Sequence, residues 1–78
     1  MSKQVGSIPD SLYTEPRDWY FTFGCGQEHA GHYCIFNGSW ASARDKMVER
    51  FGQKWSMQYP SAEAAGVERW RYILLEKG

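Results

Sequence analysis

The chain has 78 residues, a formal net charge of zero at pH 7 and an aromatic content of 17%. A chain of this length forms one domain with a small core, and the cancelled charge excludes long-range steering toward nucleic acid or an anionic membrane. No segment approaches the roughly 20 apolar residues of a membrane span, and the N-terminus lacks the apolar core of a signal peptide. We therefore expect a cytoplasmic protein that makes no membrane contact.

The first 17 residues predict an irregular extension. Prolines and glycine interrupt this segment, and its apolar residues follow no regular period. Ile8, Leu12 and Tyr13 could dock on the domain or on a partner. We place the single folded domain in residues 18–78.

Two strands joined by a hairpin are predicted next. Residues 18–23 are rich in aromatic side chains, and alternation places every second ring from Trp19 onward on one face. Residues 32–36 predict the second strand. The intervening residues 24–31 suit a hairpin loop with a partly exposed tip.

Residues 38–55 carry the start, body and stop signals of one amphipathic helix. Ser39 is a good N-cap, and Gly52 can supply the left-handed residue that ends the helix. Like charges four residues apart add no local stability, so the helix needs a sheet to lie on. Its apolar stripe consists of Trp40, Ala43, Met47, Val48 and Phe51.

A third strand and a short second helix are predicted after the main helix. Residues 54–59 alternate, with Trp55, Met57 and Tyr59 on the face expected to be buried. Pro60 ends this strand because it cannot donate to the ladder. The next residue, a serine, can cap a short helix through Val67, although the glycine at position 66 weakens it.

Residues 70–76 predict the last strand. Their uninterrupted apolar run Ile73-Leu74-Leu75 favours a central or well-covered position. The element order ββα, β, short helix, β describes an α+β domain: a small, largely antiparallel sheet of about four strands with the main helix on one face. An exposed strand edge would allow a homodimer as well as a monomer.

Three segments rich in aromatic residues and glycines follow one another along the chain. They read Trp19-Tyr20-Phe21-Thr22-Phe23-Gly24-x-Gly26-Gln27-x-His29, then Gly38-Ser39-Trp40-x-x-Ala43-Arg44-x-x-Met47, then Phe51-Gly52-x-Lys54-Trp55. Over about residues 18–76, this order resembles a family of short proteins encoded by phages and other bacterial mobile elements. The resemblance implies a phage or prophage setting, in which small single domains often bind and inhibit a host machine, as anti-CRISPR proteins do. It assigns no functional residue.

Four potential zinc ligands surround the predicted hairpin tip. Structural zinc sites usually present a ligand pair two to four residues apart on a knuckle, which this spacing does not provide. The two cysteines could instead form a disulfide across the hairpin, although a cytoplasmic setting favours free thiols. We expect no cofactor, while metal binding by this set stays open. The four residues are Cys25, His29, His32 and Cys34.

If the hairpin segment is instead part of an enzyme, a cysteine would be its catalytic residue. His29 or His32 could lower the pKa of Cys25, and the neighbouring glycine amides could form an oxyanion hole. An orienting group, a deep pocket and a lid are hard to build in about 60 ordered residues. Gly24 and Gly26 resemble a phosphate loop only loosely, because a strand follows them rather than a helix. We therefore expect a protein without catalytic activity.

Polar residues on the hairpin loop and arginines elsewhere are the candidate partner contacts. Loops held by strands often carry recognition, and guanidinium groups bind carboxylates and phosphates. Arg44 could instead lay its stem across Trp40 or Trp55. The candidates are Gln27, Glu28, His29, Arg44, Arg69 and Arg71.

These observations favour a protein-binding module, namely a phage or mobile-element accessory protein that occupies a surface of a host protein. Inhibition of a host defence system is one form that such binding takes. The alternative is a nucleic-acid or nucleotide binder, in which Arg69, Trp70 and Arg71 act with residues 24–29 through charge and base stacking.

Overall fold

The computed structural model describes residues 15–78, which form a four-stranded sheet with one main helix packed on it. The α+β class predicted from the sequence is confirmed. Most of the predicted extension, with its three candidate docking residues, lies outside the described residues. The elements are β1 (Arg17–Thr22), β2 (His32–Gly38), α1 (Trp40–Phe51), β3 (Met57–Tyr59), α2 (Ala62–Ala65) and β4 (Ile73–Lys77).

The sheet has the strand order β3-β1-β2-β4. β1 pairs antiparallel with both β2 and β3, whereas β4 runs parallel to β2, so the sheet is mixed rather than wholly antiparallel. The connections β2-α1-β3 and β3-α2-β4 both join parallel strands and cross the sheet in opposite directions. Because such crossovers are right-handed, the two helices lie on opposite faces.

The core lies between α1 and one face of the sheet. The predicted alternation of β1 is confirmed, because its alternate aromatic rings are buried in this layer. The indole Nε1 of Trp19 also donates a hydrogen bond of 3.1 Å to the carbonyl oxygen of Gly38, which fixes the ring at the start of α1. The buried cluster consists of Trp19, Phe21, Phe23, Cys34, Phe36, Ala43 and Met47.

The predicted caps of α1 are confirmed. The hydroxyl of Ser39 accepts a hydrogen bond from the Ser42 amide, and Gly52 ends the helix with a positive φ of 61°. The prediction for Val48 is wrong, because its side chain is 40% exposed. α1 faces the sheet through Ala43 and Met47, and Val48 lies about 100° around the helix from Met47, at the margin of the contact.

β3 is shorter than predicted, and its expected buried face is wrong. Only residues 57–59 pair with β1. The ring of Trp55 packs edge-on against Phe21 at 5.3 Å between centroids, in the layer beneath α1, whereas Met57 is 51% exposed. The chain thus reaches regular strand geometry only after Trp55, and the alternation read from residue 54 does not apply.

β4 is an edge strand, which corrects the prediction of a central or well-covered position. It pairs with β2 alone among the described strands, and Ile73 and Leu74 remain exposed. An irregularity opposite Tyr33 and Cys34 interrupts the pairing. Of the predicted apolar run, only Leu75 packs against the main core.

Candidate functional site

Three large apolar side chains are exposed where the chain runs into β4. Their exposed fractions are 63% for Trp70, 62% for Ile73 and 44% for Leu74. Ile73 lies opposite His32 and Leu74 opposite Tyr33, so the two side chains leave opposite faces of the sheet. The exposed apolar surface therefore wraps around the edge. We call Trp70, Ile73 and Leu74 the β4-edge patch.

The backbone after α2 holds Trp70 in place. Gly66 ends α2 in the left-handed conformation, with φ 76° and ψ 27°, and its carbonyl oxygen accepts a hydrogen bond of 2.8 Å from the Trp70 amide. The indole ring lies so close to Gly66 that a Cβ there would stand 2.5 Å from the ring atom Cδ1. The sequence predicts only that Gly66 weakens the helix, but in the structure Gly66 ends α2 and leaves space for the Trp70 ring.

Arg71 turns the chain into β4. It is the one residue other than glycine with a positive φ in the described part of the chain, at 56°. Backbone hydrogen bonds from Tyr72 to Val67 and from Ile73 to Gly31 fix the chain on both sides of the turn. Because this conformation costs an arginine more than a glycine, its presence marks the side chain as a candidate for function.

Charges of both signs surround the patch. The guanidinium carbon of Arg69 lies 5.6 Å from the centroid of the Trp70 ring, on the face of the indole. An open groove of about 1020 Å³ beside α2 is lined by Arg69 and Arg71, and also by Glu63 and Glu68. The structure thus brings two of the predicted contact residues together, with carboxylates next to them.

Gln27 holds the hairpin loop in place. Its side-chain oxygen accepts a hydrogen bond from the Gly24 amide, and its side-chain nitrogen donates to the carbonyl oxygen of Trp55 at 3.2 Å. The carboxamide is therefore engaged within the domain. The neighbouring Glu28 is exposed and has no such contact, so it is the more accessible of the two predicted contacts.

His29 packs into the aromatic layer at the end of the sheet. Its ring lies 5.3 Å from the ring of Phe23 and 5.4 Å from that of Phe51, both edge-on. The predicted contact is therefore half-buried, and its imidazole completes the end of the core.

Arg44 lies between two tryptophans. Its guanidinium carbon is 4.9 Å from the centroid of the Trp40 ring and 4.8 Å from that of the Trp55 ring, and it donates a hydrogen bond of 3.3 Å to the side-chain oxygen of Gln58. Of the two roles considered for Arg44, the structure thus places the side chain across these rings. This site is on the β3 side of the molecule, apart from Arg69 and Arg71.

The two cysteines occupy different environments and are both free. Cys25 is exposed on the hairpin loop, whereas Cys34 is fully buried in the core. Among residues 15–78, no group of three or more His, Cys, Asp or Glu side chains could hold a metal ion.

Comparisons with known proteins do not indicate a function, so the function must be inferred from the surface of the structure. No family model matches the sequence, and neither a curated protein nor a solved structure matches it. Within residues 15–78, no helix combines the length and the apolar character needed to cross a membrane. The β4-edge patch contains three of the five exposed large hydrophobic side chains among residues 15–78.

Burial gives Cys34 a measurable effect on stability at alkaline pH. Desolvation raises the pKa of its thiol from an ordinary 9.0 to about 11, with a smaller contribution from the Glu76 carboxylate. The unfolded chain loses this proton first, so the stabilisation is fully present below pH 9.0 and is lost as the pH rises toward about 11. This difference between the pKa values of the folded and unfolded chains corresponds to at most roughly 2–3 kcal/mol in the free energy of unfolding.

Urea unfolding below and above pH 9.0 measures this loss. The Cys34→Ala variant is the control, because it lacks the buried thiol and keeps every other titratable side chain. We expect the stability of the wild type to fall more steeply with pH than that of the variant. Parallel pH profiles would contradict the assignment.

Proposed function

We propose that this protein is a protein-binding module and that the β4-edge patch, flanked by Arg69 and Arg71, is its contact surface. The exposure of Trp70 and Ile73, each above 60%, carries the proposal. Removing such side chains from water stabilises a complex, and tryptophan and arginine are enriched among the residues that dominate binding energy.

We propose further that the partner is a host protein, and that this chain is a phage or mobile-element accessory protein acting in the host cytoplasm. The support for this part is the order of the three aromatic and glycine segments between Trp19 and Trp55. Binding would then inhibit the partner by occupying its surface, and a host defence system is the class of target. Such inhibition needs no catalytic group.

A nucleic-acid partner has less support at this surface. The Arg69 guanidinium lies over the Trp70 ring and competes with a stacking base for that face. Glu63 and Glu68 line the same groove, so Arg69 and Arg71 do not form the continuous basic surface that a nucleic-acid backbone needs.

Affinity capture from a bacterial host lysate tests the proposal, with the full chain as bait. Leu74→Lys adds a charge to the patch, and Val48→Lys makes the same change at a similarly exposed position on α1, since the side chains are 44% and 40% exposed. We expect one host protein to be captured by the wild type and by Val48→Lys, and at least about tenfold less of it by Leu74→Lys, equivalent to about 1.4 kcal/mol.

Circular dichroism of each variant checks that the fold is unchanged. Nuclease treatment of the lysate separates protein binding from binding through nucleic acid. Equal capture by both lysine variants, or capture that disappears with nuclease, would refute the proposed surface.

A further inference from the structure

We infer that the partner adds an extended strand to β4, and that this strand carries a carboxylate at the end that meets Arg71. The inference rests on the proposed function and specifies what occupies the surface. Proteins use this mode when a sheet edge is open, because main-chain hydrogen bonds supply affinity and alternate side chains supply specificity.

β4 is the better of the two sheet edges for strand addition. It has five residues and contains neither proline nor glycine, whereas β3 at the opposite edge has three residues and is followed by Pro60. On its inner side β4 pairs with β2, and no described strand lies outside it. Backbone groups that point away from β2 are therefore available to a further strand in this part of the molecule.

The first half of β4 lacks the charged side chains that usually protect an edge. Its two charged residues, Glu76 and Lys77, lie at the far end of the strand. The Glu76 carboxylate is also engaged by Arg50 of α1, at 2.9 Å between nitrogen and oxygen. Ile73 and Leu74 thus border an unprotected stretch of backbone.

The placement of the exposed side chains favours a strand over a helix as the occupant. Ile73 and Leu74 leave opposite faces of the sheet. A helix lying on one face would cover one of them and leave the other in water. A strand alongside β4 covers both, because its own side chains alternate between the same two faces.

The charge along this edge selects an acidic segment. From Arg71 to Lys77 the edge carries two cations and one carboxylate, and that carboxylate, on Glu76, is already paired with Arg50. Arg71 forms no ion pair with a described residue. Its guanidinium can bind a carboxylate with two parallel hydrogen bonds, which a single cationic point charge does not provide.

The same charges disfavour a second copy of this chain as the occupant. If two β4 strands paired antiparallel so that their Leu74 residues met, Arg71 of one copy would approach Lys77 of the other, since each lies three residues from Leu74. Centring the pair on Leu75 would instead set exposed Ile73 against Lys77. Like charges opposite each other destabilise a strand pair, and a lysine opposite Ile73 leaves that apolar side chain without an apolar cross-strand neighbour.

Amide NMR spectra of the full chain, labelled with nitrogen-15, test the inference with a defined probe. The probe is the peptide Asp-Val-Thr-Val-Thr-Val-Asp, blocked at both ends and added to about 1 mM, where even weak binding is detected. We expect shifts in residues 73–77 and in the indole of Trp70. The peptide methylated on every backbone nitrogen should not bind, because neither of its edges can then donate hydrogen bonds to β4.

Two charge-reversal variants test the role of Arg71. We expect Arg71→Glu to weaken binding of the acidic peptide at least about tenfold, while Lys54→Glu, the same change at an exposed site remote from β4, leaves it within about twofold. Replacing the aspartates of the peptide by lysines should weaken its binding to the wild type and strengthen its binding to Arg71→Glu.

Absence of shifts in β4, or equal binding of the methylated peptide, would overturn the inference. A dimer in sedimentation experiments that Leu74→Lys dissociates would also overturn it, in favour of a second copy. These results would reject strand addition without rejecting the proposed protein-binding function. A host protein captured in a Leu74-dependent manner, without peptide binding at β4, would retain the function and reject strand addition.

Discussion

Replacement of Trp19 by alanine is expected to lower the free energy of unfolding by about 3–5 kcal/mol. The side chain is fully buried, and its indole nitrogen donates to the carbonyl oxygen of Gly38. Alanine leaves a cavity in a small core and removes this hydrogen bond. Domains are stable by only about 5–15 kcal/mol, and small ones have little surplus. Thermal unfolding followed by circular dichroism should show a midpoint at least about 12 °C lower.

The chain offers a matched control, because Trp70 is 63% exposed. Trp70→Ala makes the same chemical change outside the main core, and we expect a loss below about 1 kcal/mol. Trp19→Phe should fall between the two, since it retains a large ring but not the hydrogen bond. Equal destabilisation by both alanine variants would show that the core is not centred on Trp19.

The hairpin and α1 could be predicted because their signals are local. Alternating rings in β1 mark a strand with one buried face, and Phe21 is buried as that pattern requires. Ser39 and Gly52 mark the helix ends, where the structure places them. Each of these signals lies within a few residues of the feature that it predicts.

The position and direction of β4 could not be predicted in the same way. An apolar run such as Ile73-Leu74-Leu75 is typical of a central strand, yet here it lies at an edge. Its neighbour β2 lies more than thirty residues earlier in the chain, and pairing at that separation depends on two crossovers rather than on local pattern. The sequence therefore predicts a covered position for Ile73 and Leu74, two of the three side chains of the β4-edge patch.

The predicted contact residues are all polar, and several of them make contacts within the domain. Gln27 bonds to Gly24 and Trp55, and Arg44 lies between two rings. The spacing of four residues between Trp40 and Arg44 on one helix is a signal for that stacking. For the β4 edge, the available signal is the pair of arginines flanking Trp70, on which the nucleic-acid alternative depends.

Replacement of Gly66 by alanine is expected to disrupt both stability and binding. The residue has a positive φ of 76°, which alone costs an alanine roughly 1 kcal/mol. The added Cβ would also lie 2.5 Å from Cδ1 and 2.9 Å from Nε1 of Trp70, so the indole must move. We expect a total loss of about 1–2 kcal/mol in urea unfolding and a changed tryptophan fluorescence spectrum.

A double-mutant cycle separates the backbone strain at Gly66 from the clash between the added Cβ and Trp70. In the Trp70→Ala background the clash is absent, so Gly66→Ala should cost only the backbone strain. Gly66→Asn is the matched variant in the wild-type background, because asparagine tolerates the left-handed conformation but still carries a Cβ. It should displace Trp70 with less loss of stability. Additive effects of Gly66→Ala and Trp70→Ala would contradict the proposed contact.

The contact between Gly66 and Trp70 also predicts how these variants bind the host protein. If Gly66 acts by seating the indole, then Gly66→Ala and Trp70→Ala should each reduce capture of the host protein by about tenfold, and the double variant should bind no more weakly than either alone. Gly52→Ala is the control, because Gly52 also has a positive φ but no atom within 4 Å of the added Cβ. That variant should lose stability and keep its affinity, since the strained turn at Gly52 ends α1 whereas the turn at Gly66 positions a contact residue.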